Sequence, residues 1–188
     1  MAKFPVLEVL WSVWILYWFL SAAHVRRAAR KESSASRSST ILITIPAVIL
    51  LANTGLAVGP LSRRFVPATE VVHIIGLALT VLGLLITVWA RIHLGQFWSA
   101  RVSLKEDHEL IQSGPYAYVR HPIYSGIFVA LMGTALYVGE YRALVAVALI
   151  FIAHRQKAKR EEKLLSEQFG DSYERYRART GSLVPKLF

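Results

Sequence analysis

The sequence predicts an all-α integral membrane protein with about five transmembrane helices and a cytoplasmic C-terminal helical cap. Three observations carry that expectation. Of 188 residues 54% are apolar, and they fall in long blocks broken by short charged segments. Lys and Arg gather in alternate connections, as the positive-inside tendency requires. After His154 the chain turns highly charged, yet its apolar residues keep helical spacing.

Pro5 to Ala23 is an apolar run of bilayer length with four indole and phenol rings between Trp11 and Trp18. It lacks the basic leading segment of a secretory signal, so it is expected to be a retained helix. His24 to Thr40 carries Arg26, Arg27, Arg30, Lys31 and Arg37 among serines and is expected to be a solvated loop near anionic headgroups. Ile41 to Leu61 is the second expected span, with Pro46 inside it and Asn53 and Gly55 available for a neighbouring helix. Ser62 to Thr69 is a polar link. Glu70 to Ile92 is the third span, with Glu70 in its first turn and small faces at Gly76, Ala78 and Gly83.

His93 to Val119 is too polar to cross a membrane, and Phe97 and Trp98 suit an interface. Gly114-Pro115 is a turn signal, and Pro122 stands where proline is tolerated, in the first turn of a helix. Arg120 and His121 therefore fall at a loop-to-helix junction, where unpaired N–H groups suit an anion or an adenosine-like ligand. Pro122 to Val138 and Tyr141 to Ala153 are expected to form a tight hairpin of two short spans turning at Gly139-Glu140. Leu164, Leu165 and Phe169 share one face of a further helix, Gly170 caps it, and Asp171 to Arg179 starts another.

Basic residues set the orientation. Five lie in 24–40, four (Arg91, Arg101, Lys105, Arg120) in 91–121 and nine from Arg155 onward, against Lys3, Arg63, Arg64 and Arg142 on the other side. The N-terminus is thus expected outside and the C-terminus in the cytoplasm of a multi-pass protein. The net charge of +10 is read as basic cytoplasmic loops meeting membrane lipids, not as a nucleic-acid surface. With no cysteine, disulfides, zinc–thiolate sites and a thiol nucleophile are excluded. The six histidines form no H-x-x-x-H pair, so no metal site is expected.

From Leu94 to Pro185 the chain resembles the isoprenylcysteine carboxyl methyltransferases and their bacterial relatives. The resemblance rests on Gly95-Gln96-Phe97-Trp98-Ser99, on His108-x-Leu110-Ile111-x-x-Gly114-x-Tyr116 and on Arg120-His121-Pro122-x-Tyr124-x-Gly126. It continues through Glu161-Glu162-x-x-Leu165, Phe169-Gly170-x-x-Tyr173-x-x-Tyr176 and Pro185. It implies a membrane methyltransferase using S-adenosylmethionine without a Rossmann domain, and no G-x-G-x-x-G loop is present. It further implies a cytoplasm-facing cofactor pocket and a lipophilic acceptor entering laterally from the bilayer. On this reading residues 1–92 hold three spans and 93–188 form the catalytic region.

The same resemblance makes His108, Leu110, Gly114, Tyr116, His121, Pro122, Tyr124, Glu161 and Glu162 the candidate cofactor residues, and Arg120 and Glu162 the candidate catalytic ones. Arg120 has a fork suited to a carboxylate and equally reads as a snorkelling inner-leaflet arginine. Glu161 and Glu162 read either as ligands of the cofactor's ammonium or ribose or as a solvated helix paired with Lys157. Carboxyl O-methylation of an isoprenylcysteine-like acceptor is the leading expectation, since an anionic carboxylate needs no general base. Phospholipid N-methylation and small-thiol S-methylation are the near alternatives. Membrane sterol reductases, which use NADPH, show a comparable Arg-His-Pro motif, and a non-enzymatic scaffold is the remaining reading.

Overall fold

The computed structural model describes residues 5–22, 28–31, 34–52, 55, 58–95, 98, 103–105 and 110–185. Among these, six α-helices run in the order α1 (Pro5–Ser21), α2 (Ser34–Ala52), α3 (Glu70–Leu94), α4 (Pro122–Val138), α5 (Tyr141–Phe169) and α6 (Asp171–Arg179). Two short strands, β1 (Ala28–Lys31) and β2 (Ser103–Lys105), pair antiparallel, so the chain is not purely α. That ribbon and the first turns of α2 occupy much of 24–40, where a loop was expected. The serine-rich Ser34 to Thr40 extends the apolar helix backward, because nothing there breaks it and serine and threonine are at home in first turns.

The centre is the α3–α4 pair. Thr69 caps α3 by accepting from the Val72 amide, and Gly95 ends it at φ 55°. The buried positions Gly76, Thr80, Gly83 and Thr87 form one stripe at helical spacing, and α4 answers with Gly126 and Gly133. A methyl group added at Gly76 would lie 2.7 Å from the Tyr137 amide nitrogen, and one at Gly126 would lie 2.7 Å from the Gly83 carbonyl. The two backbones therefore touch, as small residues allow in membrane helix pairs. The Thr80 hydroxyl donates to the Gly76 carbonyl at 2.9 Å inside this seam. Ala78 lies off the stripe and is exposed, so it is not part of the packing face.

Gly139, at φ 72°, ends α4 and turns the chain into α5 as the hairpin reading expected. Ala143, Ala146, Val147 and Ile150 of α5 pack with Ala47 of α2 and with Leu131, Ala135 and Val138 of α4. The expected break after Ala153 does not occur, and α5 runs on for 29 residues to a Gly170 cap at φ 49°. Only the side-chain character changes at His154, since the lysines, arginines and glutamates that follow are good helix formers. By length and composition α3 alone passes for a complete membrane span among the described residues. Pro5–Ser21, Thr40–Ala52 and Pro122–Val138 are shorter apolar helices.

Candidate active site

The site grows out of the way α4 begins. Pro122 needs no amide donor and starts the helix, leaving His121 in the cap position with its ring free of capping duty. The preceding turn, Gly114–Ala117, is a 3-10 helix with Pro115 in its first positions. Backbone pairing then brings the tail alongside. The Arg120 amide donates to the Gly181 carbonyl at 2.9 Å and the His121 amide to the Ser182 carbonyl at 3.1 Å. The Ser125 hydroxyl donates to the Leu183 carbonyl at 2.5 Å. Residues 181–183 are thus strapped across the entrance of α4.

The uninterrupted α5 delivers Glu161 and Glu162 to the same point. His121 lies between them, Nε2 3.1 Å from Glu162 Oε1 and Nδ1 3.4 Å from Glu161 Oε2. Arg120 Nε donates to Glu162 Oε1 at 3.0 Å, and so does the Ser182 hydroxyl. The Tyr124 hydroxyl donates to Glu161 Oε1 at 2.7 Å, while its ring stacks on His121 with centroids 5.4 Å apart. Lys157 Nζ stands over the Tyr124 ring, 5.4 Å from its centroid. Arg120 Nη1 also donates to the Arg177 and Thr180 carbonyls, closing the end of α6.

Burial and charge oppose each other across the cluster. Burial works against a charged His121, but hydrogen bonds to Glu161 and Glu162 and their charges outweigh it and raise its pKa above the usual histidine value. Burial likewise works to raise Glu162, yet the bonds from His121 and Arg120 hold it down at about 2. Glu161 is also lowered, against burial, by the His121 hydrogen bond and the Lys157 charge. Two carboxylates thus face a guanidinium and an imidazole whose protonated form they favour. Beneath them Tyr173 is fully buried, and its hydroxyl finds no partner among the described residues. Burial pushes Tyr176 up to about 12, and its hydroxyl donates to the Tyr116 carbonyl at 2.7 Å.

A cavity of about 320 Å³ opens on one edge of this cluster, lined by Arg120, Ser182, Thr180 and Gly181 with Glu174, Arg177 and Ala178 of α6. That volume is within the roughly 300–1,000 Å³ usual for small-molecule sites. His121, Tyr124, Glu161 and Glu162 do not line it.

The structure therefore brings together Arg120, His121, Tyr124, Glu161 and Glu162, with Pro122 setting their helix. Leu110, Gly114 and Tyr116 fall to one side, toward α3. Gly114 packs against the His93 ring, His93 Nε2 lies 2.9 Å from the Ser113 hydroxyl, and the Tyr116 ring is buried. No polar contact joins these three side chains to the carboxylates among the described residues. His108 lies outside the described residues, as do Gln96, Phe97 and Ser99. Sequence reasoning missed Ser182 as a partner of Glu162, because an isolated serine in a tail carries no pattern.

The described helices form a bundle with largely apolar outer faces, a buried acid–base cluster at one end and a tail strapped over it. The chain superposes on the structure of the eukaryotic intramembrane Ras methyltransferase ICMT with a TM-score of 0.55 and 22% identity, covering 81% of this chain and 51% of that one. Residues 75–167 match the isoprenylcysteine carboxyl methyltransferase (ICMT) family. The chain is 38% identical over 101 residues to the protein-S-isoprenylcysteine O-methyltransferase of Schizosaccharomyces pombe, covering 52% of this chain and 43% of that protein. The enzyme of the same name from Saccharomyces cerevisiae is 32% identical over 123 residues, covering 63% and 51%. The nickel-cobalt-cadmium resistance protein NccN of Alcaligenes xylosoxydans xylosoxydans is 30% identical over 115 residues, covering 60% and 53%. The chain spans about half the length of these relatives.

Proposed function

We propose that this chain is an integral-membrane methyltransferase that uses S-adenosylmethionine to esterify the carboxylate of an isoprenylcysteine-like acceptor. The single observation behind this reading is the cluster in which His121 bridges Glu161 and Glu162 beside Arg120 and Tyr124. In the same reading the chain crosses the bilayer five times, with the N-terminus outside and the C-terminus cytoplasmic. Residues 1–92 are the scaffold and 93–188 the catalytic region.

The chemistry of the donor set fits the cofactor. Paired carboxylates suit an ammonium group and ribose hydroxyls, the Tyr124 ring suits a flat base or a cationic centre, and Arg120 suits a carboxylate. The fully buried Tyr173 hydroxyl without a partner is a further group that a ligand at this end would satisfy. When bound, S-adenosylmethionine supplies a methyl group on a positive sulfonium centre. Glu161 and Glu162 bind and orient, His121 holds both carboxylates in place, and Arg120 positions a carboxylate at the edge of the cavity. The tail at 181–183 keeps water out. Because the acceptor carboxylate is already ionised at neutral pH, no side chain has to remove a proton, and dehydration of the carboxylate does the rest.

Transfer of a labelled methyl group from S-adenosylmethionine to farnesylcysteine, followed by fractionation of lipid, protein and volatile products, tests the reading. The expected product is a base-labile methyl ester in the acceptor fraction. Label confined to phospholipid headgroups or to a volatile thioether would overturn it.

A further inference from the structure

The cluster around His121 leaves the motif Gly95-Gln96-Phe97-Trp98-Ser99 without a part to play. Its two described residues, Gly95 and Trp98, are both held by Arg91. The Gly95 amide donates to the Arg91 carbonyl at the end of α3, and Arg91 Nη1 donates back to the Gly95 carbonyl at 2.8 Å. That carbonyl also takes the Trp98 amide at 3.3 Å. A Cβ on Gly95 would meet open space, so its φ of 55°, and not crowding, calls for glycine. The Arg91 guanidinium lies 4.5 Å from the centroid of the Trp98 ring, and Nη2 donates to the Ser21 carbonyl of α1 at 2.6 Å. One side chain thus closes the ends of two helices and seats an indole.

Stability alone does not account for an arginine here. Arg91 is 4% exposed, joins none of the ion pairs among the described residues, and has no acceptor for its Nε there. A buried guanidinium with no carboxylate opposite is costly, and in this it differs from Arg142, which has Glu140. What lies behind the ring supplies a reason. Trp98, expected at an interface, is 8% exposed and packs in one cluster with Tyr116, Ile123 and Tyr124. Ile123 and Tyr124 belong to the first turn of α4. The Tyr124 ring stacks on His121 with planes 9° apart, and His121 bridges the two carboxylates. The cluster therefore joins Arg91 to the wall of the site.

We propose that Arg91 is a positioning residue of the candidate site: by holding Trp98 it fixes the cluster behind the first turn of α4, and with it the stack of Tyr124 on His121. The inference rests on the cofactor site proposed above, and it gives Gly95 and Trp98 a part in placing that site.

Arg91→Lys keeps a charge but loses the fork, and Trp98→Leu keeps apolar bulk but loses the ring. Calorimetric titration with S-adenosylmethionine in detergent is expected to show about fivefold weaker binding for each. The double variant should bind no worse than the weaker single, because residues acting in series do not add. A merely structural role would lower the melting temperatures and leave the affinity of the folded fraction alone. Unchanged affinity, or losses that multiply in the double variant, would overturn the proposal. A second measurement needs no cofactor. In an NMR titration of imidazole-labelled protein, His121 is identified by the signal that His121→Asn removes. Its pKa is expected to be lower in Arg91→Lys than in the wild type, as a displaced stack loosens the 3.4 Å contact with Glu161. An unshifted His121 would overturn the proposal even if Trp98→Leu does not fold. A wild type that binds no S-adenosylmethionine would sink the proposed activity, and the His121 titration would then decide on Arg91 alone.

Discussion

Two buried polar clusters sit at opposite ends of the α4–α5 hairpin, and they spend their charges differently. At the turn, Arg142 is fully buried, its Nε 2.6 Å from Glu140 Oε2 and its Nη1 donating to the Leu50 and Leu51 carbonyls at 2.9 and 2.5 Å. Arg64 donates from Nη1 to the Val138 carbonyl at 3.1 Å, and the Arg63 and Gly139 carbonyls take amides of the facing segment. Apart from Arg142 Nε, each of these donors closes a helix end or a turn. At the other end His121 and Arg120 meet two carboxylates side chain to side chain, next to a cavity. Burial and charge are common to both clusters. What separates them is the balance of partners. At the turn all but the Arg142–Glu140 pair are main-chain carbonyls, whereas at the site the carboxylates meet side chains and only Arg120 Nη1 reaches main chain. Only the second arrangement can exchange its partners for those of a ligand without unravelling a helix.

The sharpest way to break this contrast is at Arg142. Arg142→Met strands Glu140 and leaves the end of α2 without donors, and losing one partner of a buried ion pair costs about 3–5 kcal/mol. Thermal unfolding in detergent should show the loss in full, while cofactor affinity of the folded fraction stays at the wild-type value. A selective loss of cofactor binding in this variant would erase the distinction between the two ends.

Glu162→Gln is the converse. Removing charge from a carboxylate that accepts from Arg120, His121 and Ser182 costs on the order of 1.5–3 kcal/mol per charged hydrogen bond. Expressed as ligand affinity this is about 10–100-fold, since 1.4 kcal/mol is tenfold. Calorimetric titration with S-adenosylmethionine should show weakening of that size, with a smaller stability loss than Arg142→Met. Unchanged affinity would remove Glu162 from the site.

Much of the frame was legible in the chain itself. Pro122 and Gly139 marked both ends of α4, and Thr69-Glu70 marked the start of α3, because caps and breakers act locally. Gly76 and Gly83 announced a close approach, although Ala78, equally small, falls off the stripe that only the helical phase defines. The carboxylate half of the site was legible in type but not in place. Glu161 lies four residues from Lys157, as it would on any solvated helix, and its meeting with His121 depends on α5 staying straight past His154, where falling hydropathy reads as an end. The strap at 181–183 was invisible because it is held mainly through its own main-chain carbonyls, which carry no side-chain pattern. Arg142 was read only as a basic residue on the outer side, since nothing in its neighbourhood tells a headgroup charge from a helix cap.

Proton linkage sharpens the contrast further. Glu162 is lowered from 4.5 to about 2, so its contribution to stability is complete above pH 4.5 and is lost as pH falls toward 2. His121 is raised above 6.5, so its contribution is complete below pH 6.5 and is lost as pH rises through its higher folded value. The wild type should therefore be most stable between about pH 4.5 and 6.5. Glu162→Gln should remove its own acid limb and shrink the alkaline one, because His121 loses one of the two carboxylates that hold its proton. Identical pH profiles of melting temperature in the two proteins would contradict the linkage.

The smallest effect is the most discriminating. Tyr124→Phe deletes one hydroxyl, 2.7 Å from Glu161, and keeps the ring that stacks on His121 and packs with Trp18 and Trp98. A single hydrogen bond contributes about 0.5–1.5 kcal/mol net, so the hydroxyl alone predicts a loss of cofactor affinity of a few-fold, about tenfold at most. The ring's two roles separate cleanly in this variant. If Tyr124 serves the site mainly as a flat wall between the carboxylates and the ring cluster of Trp18 and Trp98, kcat/KM for farnesylcysteine should follow the few-fold cofactor effect and go no further. If the hydroxyl instead fixes Glu161 in its working position, Tyr124→Phe should approach the Glu162→Gln defect. The geometry favours the first outcome, because His121 Nδ1 lies 3.4 Å from Glu161 Oε2 and the Lys157 charge favours that carboxylate without the tyrosine.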